Sequence, residues 1–170
     1  MFIAVLTLAV VSLLVFIVGN VMTWFPVPGE QAIPSEGRGV VDVGTGLTYS
    51  TYPPSSGNHY EVGVPWGVAI EPVTEGFYLN NLARGGIVVL YACETDCAAI
   101  EGQLADWAES VPREPVYNQR KVLISRYEPE MPAPVVALAW GYQLNLQSVD
   151  TGLLTQWYRR FVNHGPVQAP

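Results

Sequence analysis

The chain opens on an uninterrupted apolar run that begins at Phe2 and ends at Phe25, FIAVLTLAVVSLLVFIVGNVMTWF, with no charged residue and no proline. About 20 helical residues cross a hydrocarbon core of about 30 Å. Residues 1–25 therefore predict one transmembrane helix. Trp24 and Phe25 suit the membrane interface, and Pro26 and Pro28 stop the helix. A cleaved signal peptide would carry a basic start, a shorter apolar stretch and a small-residue cleavage site. Nothing basic precedes this run, and no Ala-x-Ala follows it.

Beyond the run the pattern changes. Residues 26–46, PVPGEQAIPSEGRGVVDVGTG, read as an extended tether with a short strand over 40–43. Residues 47–170 read as one folded domain. Its first part, 48–66, is loop-rich, because Pro53 and Pro54 exclude helix. The β-branched run GGIVVLY at 85–91 predicts a buried strand. Thr95 or Asp96 can cap a following helix, on which Ile100, Leu104, Trp107 and Val111 share one face. Residues 121–127 predict a second strand, and 135–146 a third strand or a strand pair. Asp150 can cap a last helix with the stripe Leu153, Leu154, Trp157, Tyr158, Phe161 and Val162. Arg159 and Arg160 stand near its negative end, and Gly165 and Pro166 close it. The order β-α-β-β-α, with the first two strands parallel and their crossover right-handed, predicts a small thioredoxin-like α/β domain behind the membrane helix.

Composition narrows the partners. The formal charge is −7, and every charged side chain lies at or beyond Glu30. No basic patch interleaves with aromatics, which excludes nucleic acid as a natural partner, and an acidic domain avoids lying flat on anionic lipid. No Lys or Arg precedes the apolar run, so the positive-inside rule does not orient it.

Candidate chemistry centres on Cys93 and Cys97, spaced Cys-Glu-Thr-Asp-Cys where a strand leads into a helix. Such a junction lowers a thiol pKa. Three readings stand: a structural disulfide in an oxidising compartment, two free thiols, or a metal or redox site. The disulfide needs Cys93 to lie before the helix. The three-residue spacing resembles that of copper-handling sites, which also need His or Met ligands. His59 is the candidate third ligand, and copper the candidate cofactor; otherwise no cofactor is expected. The commoner role of a lone loop histidine is hydrogen bonding, and His164 beside Gly165 reads as a helix-end residue. Asn80, Asn81 and Arg84 read as a polar turn. No nucleotide-binding loop and no Ser-His-Asp spacing is present, and the acidic residues read as a solvated face.

Tyr49, Pro53, Pro54, Ser56, Gly57, His59 and Tyr60, then Pro65, Trp66, Gly67 and Val68, then Asn81, Leu82, Gly85 and Gly86, then Tyr91, Cys93 and Cys97, and finally Ala139, Trp140 and Gly141 occur in a specific order. In this the chain resembles a bacterial membrane-anchored family of unknown function, DUF3105. The likeness runs over about 49–166. The family's two histidines fall on Asn80 and Arg84, and its glutamate on Ala83, so the histidine motif is degenerate here. The resemblance implies an anchored domain on the extracytoplasmic side of the bacterial cytoplasmic membrane, single-pass, with its C-terminal domain outside. The function expected is a non-catalytic accessory subunit of a membrane protein complex, of the respiratory or photosynthetic electron-transfer class. Its partners would be the bilayer and neighbouring subunits, met through the helix and the outer domain. The alternative is a copper-binding or thiol-redox protein using Cys93 and Cys97.

Overall fold

The computed structural model describes residues 25–95 and 97–170. The expected transmembrane helix lies outside the described residues except for Phe25, as does Asp96, one of the two expected helix caps. Among the described residues no helix is long and apolar enough to cross a membrane.

The described residues form eight strands and three helices. The strands are β1 (Glu30–Ala32), β2 (Val40–Val41), β3 (His59–Tyr60), β4 (Gly67–Val68), β5 (Ile87–Tyr91), β6 (Val122–Arg126), β7 (Val135–Ala139) and β8 (Tyr142–Leu146). The helices are α1 (Glu75–Ala83), α2 (Cys97–Ser110) and α3 (Thr151–Phe161). Six strands make one mixed sheet in the order β1-β8-β7-β5-β6-β4, while β2 and β3 pair separately and in parallel. The chain is thus a mixed α/β protein whose domain is dominated by its sheet.

Strand β5 is the centre. All five of its residues are buried, which a continuous apolar run produces when both faces of a sheet are covered. Its period-two alternation divides the core. Ile87, Val89 and Tyr91 join one apolar cluster with Leu104 and Trp107 of α2 and Leu154, Trp157 and Phe161 of α3. Val88 and Leu90 join another with Tyr78, Leu79 and Leu82 of α1. Strand β6 lies parallel to β5, with Ile87 opposite Val122, and α2 makes the connection between them. Strand β7 is antiparallel to β5, and β8 to β7. The expected strand pair over 135–146 is this hairpin, turned by Trp140 and Gly141; Gly141 holds a φ of +76°, which glycine adopts without strain.

Several expectations need correction. Residues 26–46 hold the expected short strand, at Val40–Val41, but are no free tether. Val27 is buried in the core, β1 pairs along β8, and Glu30 bonds Arg160 of α3 at 2.7 Å. The Glu36 carboxylate accepts the Ser50 and Thr51 amides, and β2 pairs with β3. Its proline and glycine content resembles a linker, but its backbone donors and acceptors find partners on the body. Asn80 and Asn81 are no turn either: they lie inside α1, and Arg84 is its C-cap. Helix α3 starts as expected, with the Asp150 side chain accepting the Leu153 amide at 2.9 Å. It ends at Phe161 with Val162 as its C-cap, followed by Asn163 in the left-handed region (φ 64°), so His164 lies beyond the cap.

Candidate functional site

Cys93 stands two residues past the end of β5, and Cys97 is the first residue of α2. The two are joined as a disulfide, with their Cα atoms 5.5 Å apart. Because Cys93 precedes the helix, the four-residue separation is short enough to bridge. Both cysteines are half-buried. Beside them a groove of about 690 Å³ lies between Cys93 and Glu94 on one side and the β6–β7 connection, 127–134, on the other. Two backbone bonds hold its walls: the Ala92 amide donates to Pro134 and the Tyr127 amide to Tyr91, each at 2.9 Å. Arg126, Glu128, Glu130 and Met131 also line it. Just inside, burial and a hydrogen bond to Glu101 push the Tyr91 hydroxyl up to about 12, so it stays a neutral donor near pH 7.

His59 does not join the cysteines. It is buried, and its ring meets Trp140 edge-on at 5.7 Å. Trp140 follows the end of β7 that lies farthest from Tyr91, so His59 and the disulfide occupy opposite ends of the sheet. Its Nδ1 lies 3.0 Å from the Gly57 carbonyl. A carbonyl only accepts, so this bond requires the proton on Nδ1. Among the described residues no group of three or more His, Cys, Asp and Glu side chains is placed to hold a metal ion.

The remaining motif positions are committed to internal structure. The Tyr49 hydroxyl donates to the Asn58 carbonyl and that of Tyr60 to Thr45. Pro53 and Pro54 are buried, and the Tyr78 hydroxyl donates to the Pro54 carbonyl. Asn81 reads both backbone groups of Val64, accepting its amide at 2.9 Å and donating to its carbonyl at 2.8 Å. A Cβ on Gly86 would sit 2.3 Å from the Trp66 ring, and Gly57 backs onto Tyr49 in the same way at 2.9 Å. Gly85 has φ +77° and accepts the Asn163 amide. The Gly141 amide donates to Ser55. These residues tie the 49–64 loop to α1 and to the β7–β8 turn. The Asn80 side chain donates to the Tyr60 carbonyl, its buried Oδ1 has no hydrogen-bond partner among the described residues, and the Arg84 carbonyl accepts from Lys121.

Two features escaped the sequence reading. Strand β4 is an outer strand, and a groove of about 550 Å³ runs beside it, lined by Trp66, Val68, Ala69, Ile70, Val73 and Phe77 among others. Ile70 is 98% exposed there. The apolar stretch between Pro65 and Pro72 was the available signal. The second feature is a polar clamp. Buried Glu114 accepts the Val116, Tyr117 and Gln119 amides and the Asn163 side chain, while buried Lys121 donates to the carbonyls of Arg84 and Ala169. Neither residue type announces burial in sequence.

Fold and site together define a mixed α/β domain with a disulfide at the exit of its central strand and an apolar groove along one edge. The model of the family described as a protein of unknown function, DUF3105, matches residues 41–170, and the chain belongs to that family. No curated protein and no solved structure matches.

Proposed function

We propose that this protein is a non-catalytic accessory subunit, anchored in the bacterial cytoplasmic membrane by the apolar run at 2–25, whose outer domain docks on a larger membrane complex. The observation that carries the reading is the apolar groove along β4. A 98% exposed isoleucine on such a groove is the kind of surface a partner covers. Burying one such side chain contributes about 1.5–3 kcal/mol. The Cys93–Cys97 disulfide supports an extracytoplasmic domain, since disulfides persist in oxidising compartments. The strand order β8-β7-β5-β6, with α2 between the two parallel strands, supports the thioredoxin-like description of the core. An electron-transfer complex, respiratory or photosynthetic, is the partner class proposed.

The test is purification of the tagged full-length chain from its own membranes in mild detergent, with subunit stoichiometry by mass spectrometry. The reading expects a fixed set of integral membrane subunits in near-equimolar amount. Recovery of the chain alone would sink it.

The groove beside the disulfide favours a second reading, thiol–disulfide exchange with a dithiol partner. A partner thiolate attacks one sulfur, the other leaves as a thiolate, and the partner's second thiol resolves the mixed bond. The partner is thereby oxidised and the Cys93–Cys97 pair reduced. This reading predicts a pair reduced by millimolar glutathione with the fold intact. A bond that resists reduction until the domain unfolds speaks against it.

A further inference from the structure

We infer that the β1 edge, together with the outward face of α3, is the lipid-facing side of the domain, and that the β4 edge with its apolar groove is the side held away from the bilayer. The inference rests on the proposed anchor and adds to it an orientation.

The short connection to the apolar run restricts how the domain can sit. The apolar run ends at Phe25, and Val27 is already part of the core, 4% exposed. Phe25 and Pro26 together span at most about 7 Å. The segment that follows is fixed. The Glu30 amide donates to the Val27 carbonyl at 2.8 Å, the Val27 amide donates to the Glu30 carboxylate at 3.0 Å, and that carboxylate is ion-paired to Arg160. Glu30, Gln31 and Ala32 then pair with Leu144, Gln143 and Tyr142 of β8. The chain therefore leaves the apolar run directly into the β1 corner, with no slack in which the domain could turn over.

Charge favours the same side. On β1, β8, α3 and the turn leading into α3, the charged residues are Glu30, Asp150, Arg159 and Arg160, which cancel. The whole formal charge of −7 therefore resides in the rest of the chain. An anionic lipid surface repels that remainder and leaves the neutral edge nearest to it. Strands in a sheet lie about 4.8 Å apart, so the five intervals from β1 to β4 place the groove about 24 Å across the sheet from the anchored edge. A partner that fills the groove would then meet the domain through its own extramembrane part.

The experiment uses the full chain in vesicles of phosphatidylcholine and phosphatidylglycerol that carry a nitroxide on a fraction of the headgroups. A small fluorophore is attached in turn at Gln31→Cys on β1, Gln156→Cys on α3 and Ile70→Cys beside β4, with the native cysteines left as their disulfide. Quenching at Gln31 and Gln156 is expected to exceed that at Ile70 at least threefold. Inserting ten Gly/Ser residues between Phe25 and Pro26 is expected to shrink the difference while the chain stays in the membrane. Equal quenching at the three sites, or strongest quenching at Ile70, overturns the inference with the anchor intact. An undiminished difference after the insertion overturns the claim that the short connection sets the orientation. Failure of the chain to sediment with the vesicles overturns the anchored reading itself.

Discussion

Glu114 shows how one side chain organises a loop. Burial pushes its carboxyl up, but the Asn163 side chain and the amides of Val116, Tyr117 and Gln119 outweigh burial, and the net shift is downward. A carboxylate whose folded pKa lies below its unfolded value contributes stability that is fully present above the unfolded value and is lost as the pH falls through the folded one. Glu114→Gln removes that contribution and should cost about 1–3 kcal/mol at pH 7. The difference between wild type and variant in urea unfolding should narrow toward acid pH; a difference independent of pH would contradict this account. At the disulfide, closure of so short a loop is worth about 2 kcal/mol by chain entropy. Cys93→Ser should therefore lower the melting temperature modestly while leaving the circular dichroism of the fold unchanged. Part of this scale was legible in sequence. The Asp150 cap was visible, and the cysteine spacing allowed a bridge only if Cys93 lay before the helix, which left the state of the cysteines open. The burial of Glu114 and Lys121 was not legible: Glu114 folds back onto amides two to five residues downstream and meets the remote Asn163 side chain, and Lys121 reaches carbonyls remote in sequence.

Elements with a plain one-sided pattern were readable, and those without one were not. Helix α3 shows its stripe: Leu154, Trp157, Tyr158 and Phe161 are buried while Gln156 and Arg159 are exposed. Helix α1 has no such stripe. Seven of its nine residues are buried, two of them asparagines that bond the 60–64 backbone, so its sequence reads as polar and irregular. Residues 26–46 failed for the opposite reason: local composition reports flexibility and cannot report a sheet edge waiting to be paired. The C-terminal tail is another long-range element. The Val167 amide donates to the Ala83 carbonyl at 2.9 Å, and a Cβ on Gly165 would lie 2.2 Å from that same oxygen. Gly165→Ala should therefore lift the tail off α1. Amide exchange at Val167 and Asn163 should accelerate at least tenfold, with exchange in β5 unchanged; unaltered rates would show that the tail is held elsewhere.

For the whole molecule, the legible part was the class: a sheet-dominated α/β domain within the DUF3105 family. The apolar groove was not legible, because exposure is a property of the assembled fold. Val68, Ala69 and Ile70 read as an ordinary apolar stretch until β4 is seen to be an outer strand. The residues that carry the resemblance mostly brace the 49–64 loop, so they speak for a scaffold more directly than for an activity. The central claim is that the β4 groove docks this domain on a membrane complex. Its most direct test is the recovery of membrane subunits with Ile70→Glu relative to wild type, both purified from the source membranes at equal expression. The account predicts at least a tenfold loss of co-purifying subunits for the variant, with its melting temperature within a few degrees of wild type. Undiminished recovery with a folded Ile70→Glu protein would contradict it.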